Sequence, residues 1–212
     1  MLQIKYGQVI FVYRKYFLMT VSCMLICVLA MAWQVLLQQQ ALADRIIRLH
    51  VVAASDDPLD QARKLAVRDA LLPQIAALTA DCADADEAAA ALAEGLPALR
   101  ETAFESLGTG ETVSATLTEE VFPRRNYDSF SLPAGTYRAL RVTLGAGAGH
   151  NWWCVAFPAL CLPAGTEEAG ERFAETARSA GLTPEEIELV SSDSESVQFK
   201  FRLLDWLAEL FS

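Results

Sequence analysis

A chain of 212 residues, 53% hydrophobic and 21% charged, is long enough for one globular domain with a real core. Its charge is unevenly spread: residues 1–43 carry Lys5, Arg14 and Lys15 and no acid, whereas residues 44–212 carry 14 Lys and Arg against 27 Asp and Glu, a net of −13. So acidic a domain repels phosphate backbones, which argues against nucleic acid as a partner.

The first element is apolar. Tyr16 to Leu37 is 22 residues without a formal charge, preceded by Arg14-Lys15. That length spans a bilayer as a helix, and the upstream positive charge keeps the N-terminus cytoplasmic. Ala41-Leu42-Ala43 then offers the small-x-small pattern of a signal peptidase site, with cleavage before Asp44. The apolar core is long for a signal peptide, so an uncleaved anchor through residues 16–37 is the alternative. Either way the chain divides into a leader or anchor, residues 1–43, and an exported domain, residues 44–212.

Arg45 to Ala54 (RIIRLHVVAA) is β-branched and apolar, the pattern of a buried strand. Asp57 and Pro58 predict a helix start, with Asp57 as cap and Asp60 in the first turn. The helix runs to about Leu78, with Leu65, Leu72 and Ile75 along its apolar side, and Arg63, Lys64, Arg68 and Asp69 on a wetter edge. Pro73 lies deep inside and predicts a kink or a division. A second helical stretch covers Asp84 to Leu107, interrupted by Gly95 and Pro97 and ended by Gly108.

Strand-like alternation follows at Thr112–Leu117, Thr136–Leu144 and Trp152–Phe157, with a loop-rich segment, VFPRRNYDSFSLPAG, before the second of these. Glu167 to Ala180 predicts a helix stopped by Gly181. Val197, Phe199 and Phe201 alternate, and Leu203 to Phe211 closes with an amphipathic helical end. The order of elements implies a single α+β domain, its mostly antiparallel sheet packed by helices and preceded by the hydrophobic export or transmembrane segment.

The richest chemistry sits in GAGAGHNWWCVAFPALC, residues 145–161. GAGAG looks like a dinucleotide loop, but such a loop opens onto a helix, and here an extended aromatic run follows. A flexible strand-to-strand link with positive φ is the better reading. A Cys154 nucleophile needs a base. His150 would lie about 13 Å away along a strand, which leaves His50 as the other candidate, on the first strand. Three exported cysteines and two histidines show no paired metal-ligand spacing, so neither metal nor cofactor is expected. Cys23 and Cys27 lie in the apolar segment. Of Cys82, Cys154 and Cys161, the nearest pair, Cys154 and Cys161, is the disulfide candidate, two buried thiols being the alternative. Adjacent strand residues face opposite sides, so one of Trp152 and Trp153 enters the core and the other can anchor an interface.

Taken together, RLHVVAASDDPLDQARKLAVRDALL (48–72), EVFPRRNYDSFSLPAGTYRALRVTLGAGAGHNWWCVAFPALCL (120–162) and, more weakly, VQFKFRLLDWLAEL (197–210) resemble the stage II sporulation protein R family of endospore-forming bacteria. Ala54 departs from the asparagine usual in that family, and Asp57 from its serine. The resemblance implies a protein secreted by the forespore into the space between the two membranes. There it activates a membrane-bound aspartic protease of the mother cell, stage II sporulation protein GA, which cleaves pro-sigma-E; the signal protein itself is no protease. The candidate partner surface is Asp56, Arg63, Lys64 and Arg68 of the first helix with His150, Asn151 and Trp152 of the glycine-flanked loop. The alternative is an exported peptidase or amidase of the cell envelope using Cys154 with His50 or His150.

Overall fold

The computed structural model describes residues 2–108, 110–127, 130–160 and 168–190. Two units are distinguished, residues 1–38 and residues 39–212. The first belongs to α1 (Leu2–Asp44), an unbroken helix. From Tyr13 onward it is apolar and long enough to cross a membrane. Tyr16, Phe17, Met24, Leu29 and Trp33 all stand exposed, so the helix is apolar around its circumference. That suits a signal segment or membrane anchor. The last turn of α1 lies in the second unit, where Leu42 and Ala43 are buried.

The second unit continues with β1 (Ile47–Val52), α2 (Pro58–Thr79), α3 (Ala85–Leu107), β2 (Val113–Phe122), β3 (Arg125–Asn126), β4 (Ser131–Leu132), β5 (Gly135–Leu144), β6 (Asn151–Phe157), α4 (Glu168–Ser179) and α5 (Pro184–Val190). Four strands form one sheet in the order β2-β5-β1-β6, and β3 pairs with β4. The β2–β5 and β1–β6 pairs are antiparallel, whereas β1 and β5 run parallel. The α+β expectation holds, with that one parallel pair as a refinement. It arises because α2, α3 and β2 to β4 lie between the two strands and return the chain to the end of the sheet where β1 begins. All six residues of β1 are buried, which is why it reads as a continuous apolar run without alternation.

Both long helices run through their prolines. Pro73 and Pro97 are exposed, so each carbonyl that proline deprives of a donor is left on a wet face. Gly95 sits where α3 meets α2, and a Cβ there would lie 2.6 Å from a terminal methyl of Leu78. Asp57 caps α2 by accepting from the Leu59 amide, and Asp84 caps α3 by accepting from Asp86 and Glu87. Gly108 ends α3 in the left-handed region, at φ 62°. The buried stripe of α2 is Lys64, Val67, Leu71, Ile75 and Thr79. Leu65 lies outside that stripe, on an exposed edge, and Lys64 is buried instead of lying on the wetter side.

β2 extends five residues past the predicted Leu117, because its pairing with β5 continues to Phe122 opposite Gly135. The alternation at Val197, Phe199 and Phe201, the end from Leu203 to Phe211, and Cys161 lie outside the described residues.

Candidate functional site

Two loops at one end of the sheet are zipped together by backbone. The β5–β6 loop turns through Gly145 and Gly147, at φ 53° and 62°. Its Ala148 and Gly149 amides then donate to the carbonyls of Ala54 and Ala53 in the β1–α2 loop, at 3.1 and 3.0 Å. Gly149 matters for a different reason from its neighbours. A Cβ at that position would lie 2.1 Å from the Ser55 carbonyl oxygen.

A ring of polar contacts ties His150 in place. The Asp56 carboxylate accepts from the His150 amide at 2.7 Å and meets its Nδ1 at 2.5 Å. Lys64 Nζ, nearly two turns into α2, donates to the His150 carbonyl at 3.0 Å and to Gln61 Oε1 at 2.6 Å. Gln61 Nε2 closes the circuit on the Ser55 carbonyl at 2.9 Å. The Lys64 side chain is nearly sealed, with the residue 5% exposed. The imidazole it fixes is 80% exposed and the Asp56 side chain 57%. A buried cation therefore holds an exposed His–Asp pair at the surface.

Beside this pair, Arg68 lies 4.3 Å over the ring of Trp152, which is 37% exposed. Trp153, on the opposite face, packs against the core. Asn151 is exposed at the start of β6. Arg63 turns the other way, to Asp60 at 3.0 Å and Glu111 at 3.7 Å. Six of the seven predicted residues thus share one patch, and Arg63 borders it. Gln61, Ser55 and Gly149 complete the patch without having been singled out in the sequence. Asp-Gln beside Lys64 at helical spacing is the one local signal that could have pointed to Gln61.

The hydrogen bonds from His150 hold the Asp56 carboxyl below its usual pKa, and burial pushes the Lys64 ammonium down while Asp56 opposes that shift. A carboxylate whose folded pKa is lowered contributes stability above its unfolded value and loses it as pH falls through the folded one. Following the His150 amide resonance on acidification should give a midpoint below the ordinary 3.8. A midpoint at or above that value would mean the pair is not formed in solution.

Cys154 does not meet either histidine. It pairs in register with Leu49 on the helix-packed face, whereas His50 pairs with Trp153 and points to the other side. His50 Nδ1 instead contacts Glu120 at 2.6 Å, and His150 is engaged by Asp56. Cys82 is a free thiol whose pKa burial pushes up, a poor nucleophile.

The model of the family described as stage II sporulation protein R matches residues 43–167. The chain belongs to the stage II sporulation protein R family. It is similar to the stage II sporulation protein R of Bacillus subtilis (strain 168), at 32% identity over 191 residues, covering 82% of this chain and 85% of that protein. No solved structure gives a significant match. The stage II sporulation protein R match begins at Ala43, in the last turn of α1, and takes in the whole sheet, α2, α3 and every residue of the Asp56–His150 patch. The family is named for a stage of sporulation and not for a reaction.

Proposed function

We propose that this stage II sporulation protein R family member is an exported signal that activates stage II sporulation protein GA, a membrane-bound aspartic protease, so that pro-sigma-E is processed in the mother cell. It acts in the space between the forespore and mother-cell membranes, as residues 44–212 freed from the leader or held through residues 16–37. An activator must bind the active arrangement of its partner better than the inactive one. The patch of Asp56, Arg68, His150, Asn151 and Trp152 is the docking surface, with Lys64 fixing it from beneath and Arg63 at its border. The observation that supports this most is the buried Lys64 clamp beneath an exposed His150 and Trp152. A surface fixed before encounter forfeits little conformational entropy on binding, and an exposed tryptophan stacked by arginine is a typical anchor.

Cys154 and Cys161 act as a brace in this reading. Cys154 is disulfide-bonded, while Cys23, Cys27 and Cys82 are free, which supports the pairing. The bridge stabilises by roughly 2 to 3 kcal/mol on the loop-entropy model.

The test is co-expression of this chain with the protease and its substrate. Processing should require the chain and fall at least about tenfold when His150 and Trp152 are both replaced by alanine, with unfolding temperature preserved. A folded Cys154→Ser chain should still signal. Processing that proceeds equally without the chain would overturn the proposal, as would signalling that disappears with the sulfur alone.

A further inference from the structure

The sheet face turned away from α2 and α3 carries a second cluster, unrelated to the docking patch. Its centre is the ring of Phe122 at the end of β2. The Arg48 guanidinium lies 4.1 Å above that ring, and the rings of His50, Tyr137 and Trp153 stand 5.9, 6.0 and 6.2 Å from it. Arg48 is 0% exposed. One of its nitrogens donates to the Tyr127 hydroxyl at 2.9 Å, while Nε and Nη1 have no hydrogen-bond partner among the described residues. Nε2 of the buried His50 and Nε1 of Trp153 are likewise buried without a partner among the described residues.

Unpaired donors in a protein interior are expensive, and a buried cation with no anion more so. Contact with the faces of Phe122 and Tyr137 offsets part of the Arg48 charge but supplies no acceptor. Glu120 is the carboxylate on this face among the described residues, and it is already engaged by His50 and by Arg141. Arg125 and Arg141 add further positive charge, in a domain that is otherwise strongly acidic. Arg48 and Trp153 thus present unpaired donors beside a surplus of positive charge.

One flank of the cluster meets the surface. Trp153 is covered by the guanidinium of Arg125, 4.1 Å above its ring, and Arg125 is an exposed residue of the short β3 strand.

We propose that this face holds a binding site for a carboxylate, taken between Arg48 and Trp153 beneath Arg125, with His50 held in orientation by Glu120. The shared chemistry is one carboxylate group, supplied by a small organic acid or by the end of a polypeptide.

The full chain in detergent, labelled with nitrogen-15, tests this directly. Sodium acetate titrated at constant ionic strength should move the Trp153 indole resonance saturably, and acetamide should not. In an Arg48→Met chain the apparent affinity should fall at least tenfold. Acetate should also raise the unfolding temperature of the unaltered chain above that in equal chloride or acetamide, which keeps the test valid if the variant misfolds. A short peptide with a free C-terminal carboxylate, compared with its amide, distinguishes the sources. Binding of the acid at least tenfold tighter than acetate assigns a polypeptide end, and binding no tighter than acetate assigns a small acid. Linear or equal responses to acetate and acetamide, or an unchanged response without Arg48, would overturn the site.

Discussion

A Gly149→Ala chain is expected to lose its signal together with a substantial part of its stability. The added methyl would sit 2.1 Å from the Ser55 oxygen and 2.4 Å from its carbonyl carbon. Both atoms are backbone, so no side chain can swing aside. Gly149 has no positive φ, so the penalty comes from contact and not from torsion. Relief requires the two loops to separate, which breaks the bonds of Ala148 and Gly149 to Ala54 and Ala53 and draws His150 away from Asp56 and Lys64. Overpacking costs roughly 1–3 kcal/mol where side chains can adjust, and a backbone clash belongs at the upper end or beyond. In a domain of this size that lowers the unfolding temperature by about 5 °C or more. Gly110→Ala is the matched control, since a Cβ there meets nothing within 4 Å. If the two variants melt and signal alike, the zipped loops are not the scaffold of the patch.

The elements of this fold were legible wherever a local pattern carried them. The Asp57 cap with Pro58, the β-branched run of β1 and the glycine stop at Gly108 each act within a few residues, and each appears where the sequence placed it. The failures are equally physical. Local rules predict a kink or division at Pro73 and an interruption at Pro97; neither helix divides, and exposure of those faces leaves the freed carbonyls open to water, which lightens the lost hydrogen bond. Lys64 looked like a solvated edge residue because nothing within α2 announces that His150, 86 positions later, will supply an acceptor. The contacts of His50 with Glu120 and of Arg48 with Tyr127 span 70 and 79 residues, set by the order β2-β5-β1-β6 and invisible to any window of sequence. The polar residues at the start of α2 and the residues after the glycines nonetheless come together, because they flank adjacent strands, and adjacency at a sheet end brings loops together.

Replacing Lys64 by methionine should separate signalling from folding. Methionine keeps the apolar stem and similar length, so Val67 and Leu71 retain their neighbour on the buried stripe. What disappears is the ammonium, with its bonds to His150 and Gln61. Hydrogen bonds to a charged group are worth about 1.5–3 kcal/mol, but burying that charge carries a desolvation cost that methionine does not incur. Lys64 is 5% exposed, and that burial lowers the pKa of its ammonium, while the carboxylate left behind on Asp56 is open to water. No orphaned buried charge is therefore created, the two effects largely offset each other, and the unfolding temperature should move by no more than a few degrees. The loop has no such compensation, since the His150 carbonyl loses the tether that joins it to α2. Amide exchange at His150 and Asn151 should accelerate, and substrate processing in the co-expression assay should drop at least about tenfold, because the docking surface must now be ordered at the moment of binding. Full signalling from a folded Lys64→Met chain would show that the exposed pair needs no buried cation beneath it, and would remove the physical basis for placing the docking surface at this end of the sheet.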